Sequence, residues 1–340
     1  HQRGPHIIVE LGQKNVERAR QGLYINRLRW LMSKWEPHEH ALSDALDILV
    51  HDLRMLTGYS RVMAYRFRPD GSGEVFAESL APKAESFLGL RFPKWDVPDT
   101  ARAISLEQPL RIIADVSADD VPLLSWRDNS EPVDMTLAEF RATSPIHKKY
   151  LSNMGVGGSM VLPVVHQGKL WGMFSFHHNK PRKFTIQETL SIELAGQMLN
   201  AHLGKIFEYN LNVGISRCKS IAVKISDNIF DKAAPQKELW SDVAAEICAL
   251  LDLDGVVLES GSGKLNFGAV PSKKLADVKE QLGATNSSGI YLAEDLELVQ
   301  MPGALLLEIE GDNAECIWLF RKEEVSKVNW AGAPKKEIDE

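Results

Sequence analysis

Between residues 90 and 180, Asp96, Arg111, Arg141, His147 and His177 supply a carboxylate, two guanidiniums and two imidazoles, side-chain types that bind anions and exchange hydrogen bonds with a ligand. Asp96 lies in Arg91-Phe-Pro-Lys-Trp-Asp-Val-Pro-Asp-Thr-Ala-Arg102. Pro98 pushes Val97 into an extended conformation, which places Asp96 just before a helix start. Its backbone carbonyl is then free to accept from something other than a helical N–H, while its carboxylate reads equally as a helix cap. Arg111 and Arg141 each carry a planar fork that fits a carboxylate with two bonds, as Lys cannot. Taken singly, either is as readily a solvated surface arginine. His147 follows Ser144-Pro-Ile and precedes Tyr150 by three residues. His177 closes an alternating run, so Ser175 and His177 share one strand face and Phe176 and His178 the other. The adjacent histidines therefore point apart, which argues against a shared metal. No nucleophile–base pair and no phosphate loop is identifiable. The residues point to binding rather than turnover.

The elements that would position these groups alternate between helix and strand. Val16, Leu23, Leu28 and Leu31 give residues 13–35 near-helical spacing, ended by Pro37. Leu42, Ala45, Leu46, Leu49, Val50 and Leu53 form an apolar stripe at three- and four-residue steps. Arg61–Phe67 and Glu74–Glu78 read as a hairpin around Pro69–Gly73. Val161–Val165 and Leu170–Phe176 read as a second, with a tight turn through Gly168. The stretch 115–140 is too long for an ordinary connection and reads as a functional or tethering loop. From Thr185 a long helix begins, with Leu190, Leu194, Met198, Ala201 and Ile206 as its apolar stripe. A domain boundary falls inside it, near Tyr209. Short strands return over residues 255–259, 304–309 and 316–320, and His6–Leu11 reads as a short strand near the start. Helices flanking a central antiparallel sheet make the fold class α+β.

The 340 residues suffice for two ordinary domains, each with its own core. The net charge of −7 argues against general nucleic-acid binding. No apolar run approaches the length of a membrane span. The three cysteines, Cys218, Cys248 and Cys316, are far apart and odd in number, which suits a reducing cytoplasm and gives no metal-binding spacing.

Four blocks in order resemble the phytochromes, photoreceptors that carry a linear tetrapyrrole. The run around Asp96 is similar to their Pro-Ala-Ser-Asp-Ile-Pro signature. Gly58-Tyr-Ser-Arg-Val-Met-Ala-Tyr65-Arg-Phe, Thr143-Ser-Pro-Ile-His147-Lys-Lys-Tyr150 through Ser159, and Gly168-Lys-Leu-Trp-Gly-Met-Phe-Ser-Phe-His177-His178 complete the set. The likeness to the chromophore-binding GAF domain covers roughly residues 20–210 and is nearest to bacterial phytochromes, which bind biliverdin. Residues 211–334 resemble, more weakly, the PHY domain. The resemblance implies two GAF-like domains, each a central antiparallel sheet flanked by helices, joined by a long helix. Residues 1–12 would be the C-terminal tail of a PAS domain, 13–208 the GAF domain, and 209–340 a PHY domain that stops where its hairpin arm begins.

The resemblance also implies roles. Arg111 and Arg141 would bind the two propionates, with Ser144 and Ser159 adding hydroxyls. His147 and the Asp96 carbonyl would meet the pyrrole nitrogens, and His177 the carbonyl of the terminal ring. Tyr65, Phe92, Val97, Tyr150 and Met63 would wall the ring that rotates. Three positions depart from the family: Trp95 replaces a Ser, Ser105 a Tyr, and Ile146 the Cys that attaches the bilin in plants and cyanobacteria. The attachment Cys of bacterial members lies upstream of the PAS domain, outside this chain. Implied partners are the bilin, a second copy in a parallel homodimer, and a downstream signalling module such as a histidine kinase, with no nucleic acid and no membrane, in the cytoplasm. Two other readings remain: a GAF domain for another small molecule such as a cyclic nucleotide, and a light-blind relative that has lost its chromophore.

Overall fold

The computed structural model describes residues 2–3, 6–10, 26, 42–124, 133–229, 237–260, 263–271, 275, 290–293, 303–309, 315–322 and 327–331. Two compact units divide it: residues 1–209 with 328–340, and residues 210–327. The helix expected over 13–35 lies outside the described residues apart from Asn26. The N-terminal strand is shorter than expected: β1 (Gln2–Arg3) pairs with β2 (His6–Ile7), and residues 8–10 follow as non-strand chain.

The first unit is built on a six-stranded antiparallel sheet. Its strands are β3 (Arg61–Phe67), β4 (Gly73–Leu80), β5 (Arg91–Phe92), β6 (Arg111–Ile113), β7 (Gly158–His166) and β8 (Lys169–His178), in the spatial order β5-β4-β3-β8-β7-β6. Both expected hairpins are present and longer than the alternation indicated. The β7–β8 turn needs positive φ at Gln167 (49°) and Gly168 (74°), the backbone that matches strand twist in a two-residue turn. Gly172 has no room for a side chain, since a Cβ there would sit 2.2 Å from the Tyr65 carbonyl oxygen across the ladder.

Period-two alternation splits this sheet into two chemistries. On one face Val62, Ala64, Ala77, Met160, Leu162, Phe174 and Phe176 pack under α1 (Leu42–Thr57) and the first half of a long helix. The α1 stripe buries as spaced, with Ala45, Leu46, Leu49, Val50 and Leu53 all inside. Each fully buried Leu or Val contributes about 1.5–3 kcal/mol. The opposite face presents Met63, Tyr65, Val75 and Phe92, covered only in part by α2 (Asp99–Glu107) and α3 (Pro145–Asn153).

The long helix, α4, spans Ile186–Ile229. It starts on a reciprocal cap: Thr185 N–H donates to the Glu188 carboxylate at 2.9 Å, and Glu188 N–H to the Thr185 hydroxyl at 3.2 Å. In its first half the buried apolar residues include Ile192, Ala195, Leu199, Leu203 and Ile206, whereas Leu190 and Leu194 are exposed. Of the stripe expected from spacing, Ile206 alone belongs to the core face.

The second unit carries a five-stranded antiparallel sheet. Its strands are β9 (Gly255–Ser260), β10 (Gly263–Gly268), β11 (Ile290–Ala293), β12 (Gly303–Ile309) and β13 (Glu315–Arg321), in the order β10-β9-β13-β12-β11. α5 (Lys237–Leu251) packs on one face with Val243, Ala244 and Ile247. On the other face Trp318 and Phe320 stack 6.1 Å apart, and the buried Trp318 indole donates to Glu259 at 3.0 Å. The fold is thus α+β with antiparallel sheets.

Candidate functional site

A cavity opens on the second face of the six-stranded sheet. β3 supplies Met63 and Tyr65, β8 supplies Met173, Ser175 and His177, and β7 supplies Ser159 and Val161. The segment after β5 adds Asp96 and Val97, and α3 adds His147, Tyr150, Leu151 and Met154. The cavity volume is about 80 Å³, and it opens into about 560 Å³ of space continuous with solvent. Mostly apolar walls with a few convergent polar groups are what a small-molecule site requires.

Asp96 ends a short 3-10 helix, Lys94–Asp96, and α2 begins after Pro98. Asp96 therefore does not cap α2; Pro98 stands at that position. The Tyr150 hydroxyl donates to the Asp96 carboxylate at 3.5 Å. Burial raises the Asp96 pKa and the Tyr150 bond partly offsets it. Burial likewise raises the Tyr65 and Tyr150 hydroxyls, which stay neutral donors.

The His147 ring stacks parallel to Tyr150, 6.2 Å between centroids. It reaches open space, yet enough protein surrounds it that desolvation, and then the Arg111 charge, lower its pKa. His177 is buried; its Nε2 lies 3.3 Å from the Ser175 hydroxyl and no partner reaches its Nδ1. Burial, with the Arg61 and His147 charges, lowers its pKa to about 3, so it is a neutral imidazole at ordinary pH. His178 turns the other way, onto Ser60, and packs edge-on against Tyr59.

Arg111 stands on β6, paired across the ladder with Val161 of the cavity wall. Its guanidinium donates to the backbone oxygens of Glu139 (2.9 Å) and Arg141 (3.1 Å) and to the Thr143 hydroxyl (3.4 Å). Arg141 donates to the Gln108 amide oxygen at 3.1 Å, and no partner reaches its buried Nε. Burial and the neighbouring Arg141 lower the Arg111 pKa to about 10, with Glu139 and Glu10 offsetting part of this. Two guanidiniums side by side, bonded to neutral acceptors, favour an anion between or beside them.

The structure thus gathers Tyr65, Phe92, Asp96, Val97, His147, Tyr150, Ser159 and His177 around one cavity. Arg111, Arg141 and Ser144 lie outside that lining. The Ser144 carbonyl accepts from Lys148 N–H at 2.9 Å as α3 begins, and its hydroxyl makes no capping bond. Val75, Leu151, Met154, Val161, Met173 and Ser175 also line the cavity and were not singled out from sequence. Strand alternation was the available signal for Met173 and Ser175, because both share the face of His177. Among the described residues no group of three or more His, Cys, Asp or Glu could hold a metal. No helix among them is long and apolar enough to cross a membrane. All three cysteines lie in the second unit, and none lines the cavity.

The six-stranded sheet is thus packed under helices on one face and carries this polar-and-apolar cavity on the other. Residues 41–205 match the GAF domain family, and residues 219–340 match the phytochrome region. A bacteriophytochrome of Pseudomonas aeruginosa is 33% identical over 309 residues, covering 86% of this chain and 41% of that protein. Cyanobacterial phytochrome B of Nostoc is 28% identical over 309 residues, covering 86% of this chain and 40% of that protein. A crystal structure of a bacteriophytochrome from the photosynthetic bacterium R. palustris superposes with a TM-score of 0.74 at 27% identity, covering 95% of this chain and 66% of that one. The chain belongs to the phytochrome family. It spans about two fifths of the length of these curated relatives.

Proposed function

We propose that this chain is the photosensory part of a bacterial red/far-red photoreceptor and that its cavity holds biliverdin. Residues 13–208 would form the chromophore-binding domain and 209–340 the PHY domain. The carrying observation is the convergence of Asp96, His147, Tyr150 and His177 on one cavity, with two neutrally bonded arginines beside it. The bound bilin would supply light absorption and double-bond isomerisation. The protein's own residues hold and orient it. Arg111 and Arg141 take the propionates, with Ser144 and Ser159 as further donors. The Asp96 carbonyl accepts from pyrrole N–H groups, which favours their protonated, cationic state. His147 stacks beside them. Neutral His177 offers one N–H to the carbonyl of the terminal ring, and Tyr65, Phe92, Val97 and Tyr150 shape the space in which that ring turns.

No covalent link to this chain is proposed, since its cysteines lie away from the cavity. An output module, such as a histidine kinase, would read the change in the cytoplasm, and α4 would pair with its copy in a parallel homodimer.

The arginine roles can be tested by competition between biliverdin and its dimethyl ester. Each charge-assisted bond is worth about 1.5–3 kcal/mol, so Arg111→Ala or Arg141→Ala should weaken biliverdin uptake roughly 10- to 100-fold. Neither change should affect the ester much. Equal losses for acid and ester would contradict the propionate assignment.

A further inference from the structure

Arg102 stands on α2, outside the cavity lining, and the reading above gives it no role. Its Nε donates to the Val97 carbonyl at 2.8 Å and its Nη2 to the Gly71 carbonyl at 2.5 Å. Its guanidinium carbon lies 4.2 Å from the centroid of the Phe67 ring. Two of these contacts lead directly to the cavity. Val97 lines it and directly follows Asp96, so the bond to the Val97 carbonyl holds the peptide next to the Asp96 carbonyl. Phe67 packs edge-on against Tyr65, with centroids 5.4 Å apart and planes at 78°. Tyr65 in turn lies 5.8 Å from Phe92. Gly71, at φ +81°, lies in the β3–β4 connection, and Gly73 opens β4 opposite Phe67. A Cβ on Gly73 would fall 1.9 Å from the Tyr65 ring and hydroxyl. The Tyr65 ring is therefore held against a residue that has no side chain, beside a phenyl ring that carries a guanidinium on its far contact.

Only a planar fork meets all three demands. It donates along two directions to two carbonyls while lying against an aromatic ring. A lysine ammonium keeps the charge but is a point donor on a flexible stem.

We propose that Arg102 is a positioning residue for the bilin pocket, acting through Val97 on the Asp96 carbonyl and through Phe67 on the Tyr65 ring. It rests on the biliverdin reading above. Displacements of about 1 Å in groups that aim a reaction have large effects on its outcome, so loss of the fork should show in the chromophore before it shows in the fold.

The test uses the full-length protein with biliverdin, comparing wild type, Arg102→Lys, Arg102→Met and Gly73→Ala. The readouts are the red absorption band, the pH at which that band is lost on alkaline titration, and the photoproduct yield. Arg102→Met should keep the circular-dichroism spectrum and take up biliverdin, with a displaced red band, a lower alkaline midpoint and a reduced yield. Arg102→Lys should change the same quantities in the same direction by less. Gly73→Ala, which reaches Tyr65 without touching Arg102, should reduce the yield with the smaller effect on the midpoint. If Arg102→Met does not fold, Arg102→Lys decides on the same readouts. A folded Arg102 variant with wild-type band, midpoint and yield would overturn the proposal and leave the bilin reading standing. Wild type that takes up no biliverdin would overturn both.

Discussion

His177 carries a consequence that can be measured without any ligand. Its pKa in the fold lies near 3, below the ~6.5 of an exposed histidine. Between those values the unfolded chain binds a proton there and the folded chain does not. Stability therefore rises with pH across that window and is lost as pH falls from about 6.5 toward about 3. Replacing His177 with Gln should flatten this part of the stability–pH curve in denaturant titrations at fixed temperature. An unchanged slope would mean that His177 is protonated in the fold. The side-chain types around the cavity were legible in the sequence because Asp, Arg and His stand out among apolar neighbours. Met154, Leu151 and Val75 were not, since an apolar residue lining a cavity has the same sequence pattern as one filling a core. Tyr150 donating to Asp96 was also hidden: the two are 54 residues apart, and only the docking of α3 over the sheet joins them.

At the scale of elements, α4 illustrates what spacing can and cannot decide. Leu190, Leu194, Met198 and Ala201 satisfy helical periodicity, and so do Ile192, Ala195, Leu199, Leu203 and Ile206. A helix apolar on two faces gives no internal sign of which one meets the sheet. The structure settles it for the second set, and Leu190 and Leu194 remain 59% and 50% exposed. α1 has one apolar face, and its buried apolar residues Ala45, Leu46, Leu49, Val50 and Leu53 were readable, whereas the buried Thr57 was not and Leu42 is only partly covered. The strand pairs were readable as hairpins, because alternation and turn residues are local signals. The placement of β6 beside β7, which sets Arg111 opposite Val161, is a long-range pairing with no such signal. The exposed α4 face is where we place the homodimer contact. Leu194→Asp should leave the circular-dichroism spectrum intact and give a monomer by light scattering, because an unpaired carboxylate buried in an interface costs about 3 kcal/mol or more. A dimer that persists in this variant would contradict the pairing.

For the whole molecule, the chain leaves the first unit along α4 and comes back to it. Arg91 N–H donates to the Asn329 carbonyl, and Ala331 N–H to the Arg91 carbonyl, both at 2.8 Å. The returning residues thus bond the edge strand β5, five residues before Asp96. Nothing in the pattern of Val328–Ala331 itself names β5 as its partner; only the resemblance pointed to an arm that begins near Trp330 and turns back toward the pocket. The matches to the GAF domain and the phytochrome region extend across both units, and the cavity lies wholly in the first. The central claim is that this cavity takes up biliverdin and responds to light. Titrating the full-length protein with biliverdin while recording absorbance, before and after red illumination, tests it most directly. We predict a red-region band that saturates at one bilin per chain and is lost reversibly under red light as a far-red-shifted product forms. A protein with an intact circular-dichroism spectrum that develops no red-region band would contradict the account.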